Sequence, residues 1–122
     1  MAIVLIVDDN ELVRGLSVLV LRQQGHDVID VESADDALTT LARRDEGGEG
    51  VDAVVTDLTM PGSLDGTELV ARLRAERPGI GIVVTTGHAV EPGTFDDRVM
   101  VLSKPFGVDD LARAVTDVLT SR

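Results

Sequence analysis

Val51-Asp52-Ala53-Val54-Val55-Thr56-Asp57-Leu58-Thr59-Met60-Pro61 holds an apolar, β-branched run that stops abruptly at Asp57 and leads into Pro61-Gly62. A short run apolar on both faces suits a central strand of a parallel sheet covered on each side. In such sheets ligands gather outside the carboxyl ends of the strands, which is where Asp57 falls. An Asp that merely closes a strand and opens a turn has the same local sequence. Only the remainder of the chain separates these two readings.

Working outward, the same pattern recurs. Ile3 to Val7 is a continuous apolar run followed by Asp8-Asp9-Asn10. Leu12, Val13, Leu16, Leu19 and Val20 then repeat at helical spacing on one face, with Gly25 at a C′ position. Asp27 to Val31 reads as a short strand. Ser33, with Asp36 three residues on, caps a helix striped by Ala34, Ala37, Leu38, Leu41 and Ala42. Asp45 to Gly50 is expected to be a loop. After the Asp57 stretch, Asp65-Gly66-Thr67-Glu68 resembles a capping box. It opens a helix through Leu69, Val70 and Leu73 that ends before Pro78. Ile80 to Thr86 and Val99 to Leu102 are the fourth and fifth strands, and Val108, Leu111, Val115, Val118 and Leu119 mark the last helix. Between them, His88 to Arg98 carries Pro92-Gly93, which disfavours a regular helix and predicts a loop or single turn.

Strands alternating with helices predict an α/β doubly wound parallel sheet. The expectation is a flavodoxin-like five-stranded sheet of order 2-1-3-4-5, with the fourth helix shortened or absent. At 122 residues the chain reads as one domain, residues 1–122, able to bury roughly two-thirds of its unfolded surface. It has no Cys, so disulfide and thiol chemistry are excluded. A net charge of −11 argues against binding a phosphate backbone, so no nucleic acid is expected as a partner of this domain. No Trp or Tyr is present, and Phe95 and Phe106 are the only aromatics, which disfavours a stacked flavin. The apolar opening run is too short to cross a membrane and lacks a leader's basic start and cleavage site. A soluble cytoplasmic protein with no membrane partner is expected.

In the 2-1-3-4-5 order the first and third strands are neighbours, so Asp8, Asp9 and Asp57 share one crevice. Carboxylates that close raise one another's pKa, and oxygen-only ligation without His or Cys fits Mg²⁺. Asp8 has a competing structural role as an N-cap with Glu11 at N3. Lys104-Pro105 follows the fifth strand. As the only Lys in the chain it suits a phosphoryl oxygen, although a solvated surface Lys is the commoner case. Pro105 keeps the preceding residue out of helical geometry. Thr86 ends the fourth strand, an ordinary place for a β-branched residue, with its hydroxyl toward the same crevice.

Taken together, Asp8-Asp9, Asp57-Leu58-Thr59-Met60-Pro61, Thr86-Gly87 and Lys104-Pro105-Phe106, each at a successive strand end, resemble the receiver domain of two-component response regulators. The resemblance covers essentially the whole chain and implies a phosphoacceptor switch in a phosphorelay, not an enzyme with turnover. By position it implies Asp57 as phosphoacceptor and Lys104 and Thr86 as phosphoryl contacts. It also implies Mg²⁺ held by Asp8 through water, by Asp9 and Asp57 directly, and by the Thr59 carbonyl. The phosphoryl donor it implies is a histidine kinase or a histidine phosphotransfer protein. Thr59 and His88 flank the site and are expected to tune water access, although His88 reads more readily as a solvated loop residue.

Three positions depart from the pattern. Val101 stands where an aromatic switch residue is usual, the segment after Thr86 is short, and the Met60 to Gly66 turn is one residue longer than the common form. The turn and the Thr86-Gly87-His88-Ala89 run are similar to receivers of hybrid histidine kinases, either excised or standing alone. The alternative within the family is a degenerate receiver that binds a protein partner without phosphorylation. A dehalogenase-type phosphatase would need a second Asp where Thr59 stands.

Overall fold

The computed structural model describes residues 2–58, 65–90, 93–96 and 98–120. Five strands alternate with four helices: β1 (Ile3–Val7), α1 (Glu11–Gln23), β2 (Asp27–Val31), α2 (Ala34–Glu46), β3 (Ala53–Asp57), α3 (Gly66–Glu76), β4 (Gly81–Thr86), β5 (Val99–Ser103) and α4 (Val108–Thr120). The strands form one parallel sheet, as the alternation predicts, in the order β2-β1-β3-β4-β5 expected of a flavodoxin-like fold. Among the described residues between β4 and β5 there is no helix, which matches the expected loss of that element.

The period of two along each strand divides the core. Leu5, Val7, Val54, Ile82 and Val84 face α2 and α3, while Val4, Ile6, Ala53, Val55 and Val83 face α1 and α4. Every residue of β3 and β4 is buried, which explains their unbroken apolar reading. Helix starts follow the side-chain oxygens: Ser33 accepts from Asp36 N at 3.1 Å and Asp65 from Glu68 N at 2.9 Å. Gly25, at φ +91, ends α1 as its sequence position predicts.

Two local expectations fail. The stripe on α1 is only in part the face that packs: Val20 is buried and Val13 half-buried, but Leu12, Leu16 and Leu19 are 85%, 53% and 55% exposed, and Ser17 and Leu21 are buried beside Val20. The apolar run Leu16 to Leu21 offers two overlapping stripes, and the sheet takes the one shifted by a residue. Similarly, α2 continues through Glu46, so the loop begins only at Gly47.

Candidate functional site

Alternation fixes which strand-end side chains can meet. Asp57 follows Val55 onto the α1/α4 side of β3, and Asp8 follows Ile6 onto the same side of β1. Asp57 is 6% exposed and Asp8 4%, whereas Asp9 is exposed. Carboxylate oxygens of Asp8, Asp9 and Asp57 all lie within 4.8 Å of one another. Lys104 reaches in from the end of β5, its Nζ 3.0 Å from Asp57 Oδ2 and 3.5 Å from Asp8 Oδ2. The Lys104 amide donates to the Thr86 carbonyl at 2.7 Å, so the stem of that side chain starts from a fixed point.

The loop after β1 is held as firmly. The Asp8 carboxylate accepts from Asn10 N at 2.8 Å. Its carbonyl accepts from Arg14, which also bonds Asp30 at 3.0 Å. Asn10, not Asp8, is the N-cap of α1, accepting from Val13 N at 3.1 Å. The capping motif Asp8/Glu11 expected from sequence is therefore replaced, because Asn10 sits directly against the first helical residue and leaves the Asp8 carboxylate for the crevice. Burial pushes the Asp8 carboxyl up, and the Asp57 charge adds to it against the pull of Asn10 N–H and Lys104. For Lys104 burial acts downward, but its bond to Asp57 and the charge of Asp8 prevail and the ammonium is held above its usual range. One cation faces three carboxylates, all oxygen donors. That set suits a hard divalent ion such as Mg²⁺ and offers nothing to soft metals.

Thr86 is buried, but its hydroxyl is turned onto the adjacent backbone, donating to His88 O at 3.2 Å and accepting from His88 N at 3.0 Å. It is thus not joined to Asp57 or Lys104 by any such bond. Thr59 and the Met60-Pro61-Gly62-Ser63-Leu64 part of the turn lie outside the described residues, as does Pro92. His88 is exposed beside the site. Two residues to which the sequence assigned no part in the site belong to this region. A Cβ on Gly66 would fall on the Asp57 carbonyl oxygen and 2.5 Å from Leu58 Cα, so only glycine lets α3 start against the end of β3. Thr85 pairs in register with Asp57, and its hydroxyl is buried with no hydrogen-bond partner. The DG pair was a readable signal for the first; nothing in the sequence marked the second.

This arrangement matches a known family. The family model for the response regulator receiver domain matches residues 4–116. The chain belongs to that family. The receiver is 34% identical over 122 residues to the sensor kinase CckA of Brucella abortus, covering 97% of this chain. It spans 12% of that kinase's length, and 26–41% of three transcriptional regulatory proteins it also matches. Among solved structures, a response regulator receiver protein from Sinorhizobium medicae superposes with a TM-score of 0.87 at 27% identity, covering 98% of this receiver and 95% of that chain. Response regulator TrrA of Thermotoga maritima, solved in complex with Mg²⁺ and BeF, superposes with a TM-score of 0.77 at 25% identity, covering 98% and 100%. Among the described residues of the receiver no helix is long and apolar enough to cross a membrane.

Proposed function

We propose that this receiver, residues 1–122, is a cytoplasmic phosphorelay switch in which Asp57 takes a phosphoryl group from a phosphohistidine. A single observation carries the reading: the only lysine in the chain bridges two buried carboxylates, Asp57 and Asp8, inside a three-aspartate cluster. An Asp57 oxygen attacks phosphorus and forms a P–O bond. The P–N bond to the donor imidazole breaks with its electron pair staying on that nitrogen, and because the other ring nitrogen already carries a proton the imidazole leaves neutral. Lys104, poised 3.0 Å from Asp57 Oδ2, follows the incoming phosphoryl oxygens as a point charge.

Asp8, Asp9 and Asp57 would hold Mg²⁺, with the Thr59 carbonyl as a further ligand by the family pattern. Bound there, Mg²⁺ supplies charge neutralisation for the phosphoryl oxygens. Thr86 gives up its bond to the His88 carbonyl and donates to the phosphoryl group, which moves the start of the β4–β5 segment in a small two-state change. The donor, a histidine kinase or histidine phosphotransfer protein, approaches over α1. Leu12, Leu16 and Leu19 are exposed on that helix, and Leu16 lines an apolar groove of about 380 Å³ with Val13, Phe106 and Lys104. A helix carrying phosphohistidine fits that face.

Intact-mass analysis after acetyl phosphate and Mg²⁺ tests the acceptor. One phosphoryl group is expected on the wild type and none on Asp57→Asn. A wild-type chain that stays unmodified with Mg²⁺ bound would turn the assignment to the phosphorylation-independent binding module.

A further inference from the structure

We propose that Thr85 is a positioning residue of the phosphorylated state, its hydroxyl donating a hydrogen bond to the phosphorylated Asp57 side chain. The inference rests on Asp57 being the acceptor. Thr85 pairs in register with Asp57 on the neighbouring strand, and adjacent strands lie about 4.8 Å apart. Val83 faces α1 and α4, so Thr85, two residues on, leaves β4 on the same side as Asp57. On its other flank the register partner is Leu102, which is apolar. The side chain is 2% exposed and its Oγ1 has no hydrogen-bond partner.

A buried hydroxyl without a partner is unfavourable, and valine would fill the same space at this position without that penalty. The position also sits in a strand otherwise filled by Ile82, Val83 and Val84. A group that gains three acceptor oxygens beside it relieves the penalty only when Asp57 is modified. Thr86 faces the opposite side of β4 and is engaged with His88, so the two threonines do different work. Thr86 responds to the phosphoryl group by changing partners, whereas Thr85 acquires its first one.

The test is equilibrium binding of beryllofluoride, a phosphoryl mimic, in the presence of Mg²⁺, with thermal unfolding of the fluoride-free chain measured alongside. Thr85→Val is expected to bind about tenfold more weakly, the loss of one hydrogen bond to a charged group, while unfolding at the same temperature or higher. Thr85→Ser, which keeps the hydroxyl, is expected to bind close to wild type. Wild-type affinity in Thr85→Val overturns the proposal. So does weakened binding that tracks a lowered unfolding temperature and is not rescued by serine, since that is a packing defect. Asp57→Asn separates the underlying reading: if it binds beryllofluoride as the wild type does, the acceptor assignment itself is wrong.

Discussion

The strand β3 is preceded by one aspartate and ends in another, and the fold treats them in opposite ways. Asp52 is built into the sheet. Its carboxylate accepts from Ile3 N at 2.8 Å, its amide donates to Ile3 O at 2.8 Å, and its carbonyl accepts from Gly81 N at 3.0 Å. It knits β1 and β4 to the strand between them. Asp57, five residues later, is pressed against two further carboxylates with one ammonium among them. A carboxylate answered by backbone amides reads as architecture. One crowded by its own kind under burial is held for something that arrives from outside.

The two aspartates are expected to differ most in their chemistry. Asp57→Asn is expected to abolish acetyl phosphate labelling, while Asp52→Ala keeps it. Labelling lost in both, with Asp52→Ala still folded by circular dichroism, would erase the distinction. Next in size is the metal effect. At about a hundred times its dissociation constant, Mg²⁺ stabilises a protein by roughly 2.7 kcal/mol. Calorimetric melts of wild type and Asp52→Ala are expected to shift upward with Mg²⁺ and those of Asp9→Ala to stay put, so an Asp9→Ala shift equal to wild type removes the cation site.

Asp52→Ala is itself expected to lose about 1–3 kcal/mol in urea unfolding, because Ile3 N is left without its acceptor. Asp8→Asn goes the other way in metal-free buffer: burial and the Asp57 charge both oppose its ionised form, so neutralising it raises stability. Parallel losses in the two variants would show that both ends of the sheet are held alike. The smallest effect lies on the surface. The Arg77 bond holds the exposed Asp45 carboxyl below its usual range. Its contribution is therefore present above the ordinary Asp value and disappears as pH falls through the lowered one. Asp45→Asn should lack that acid-side loss, and coincident stability curves for the two proteins would refute it.

The central place of β3 and β4 was legible because both are buried on both faces and so spell unbroken apolar runs, whereas the 2-1-3-4-5 order came only with the flavodoxin-like expectation. The convergence of Asp8, Asp9, Asp57 and Lys104 was legible once that order was assumed, since each ends a strand. The α1 face was not, because Leu16 to Leu21 supports two stripes and sequence cannot say which meets the sheet. Nor was Asn10 as N-cap, since Asp8 and Asn10 are equally good caps two residues apart and only the path of the chain chooses. Thr85 was invisible for a different reason. A threonine in a β-branched strand looks like filler until its hydroxyl is found without a partner.

The contact between Gly66 and Asp57 has a consequence for how such a chain can vary. Gly66 N donates to Leu58 O at 3.1 Å, and the missing side chain lets the helix rest directly on the strand. Leu58 and Gly66 are therefore fixed to each other whatever length of chain joins them. A chain with one residue more or fewer between Leu58 and Gly66 is expected to keep Asp57 in place beside Asp8 and Lys104.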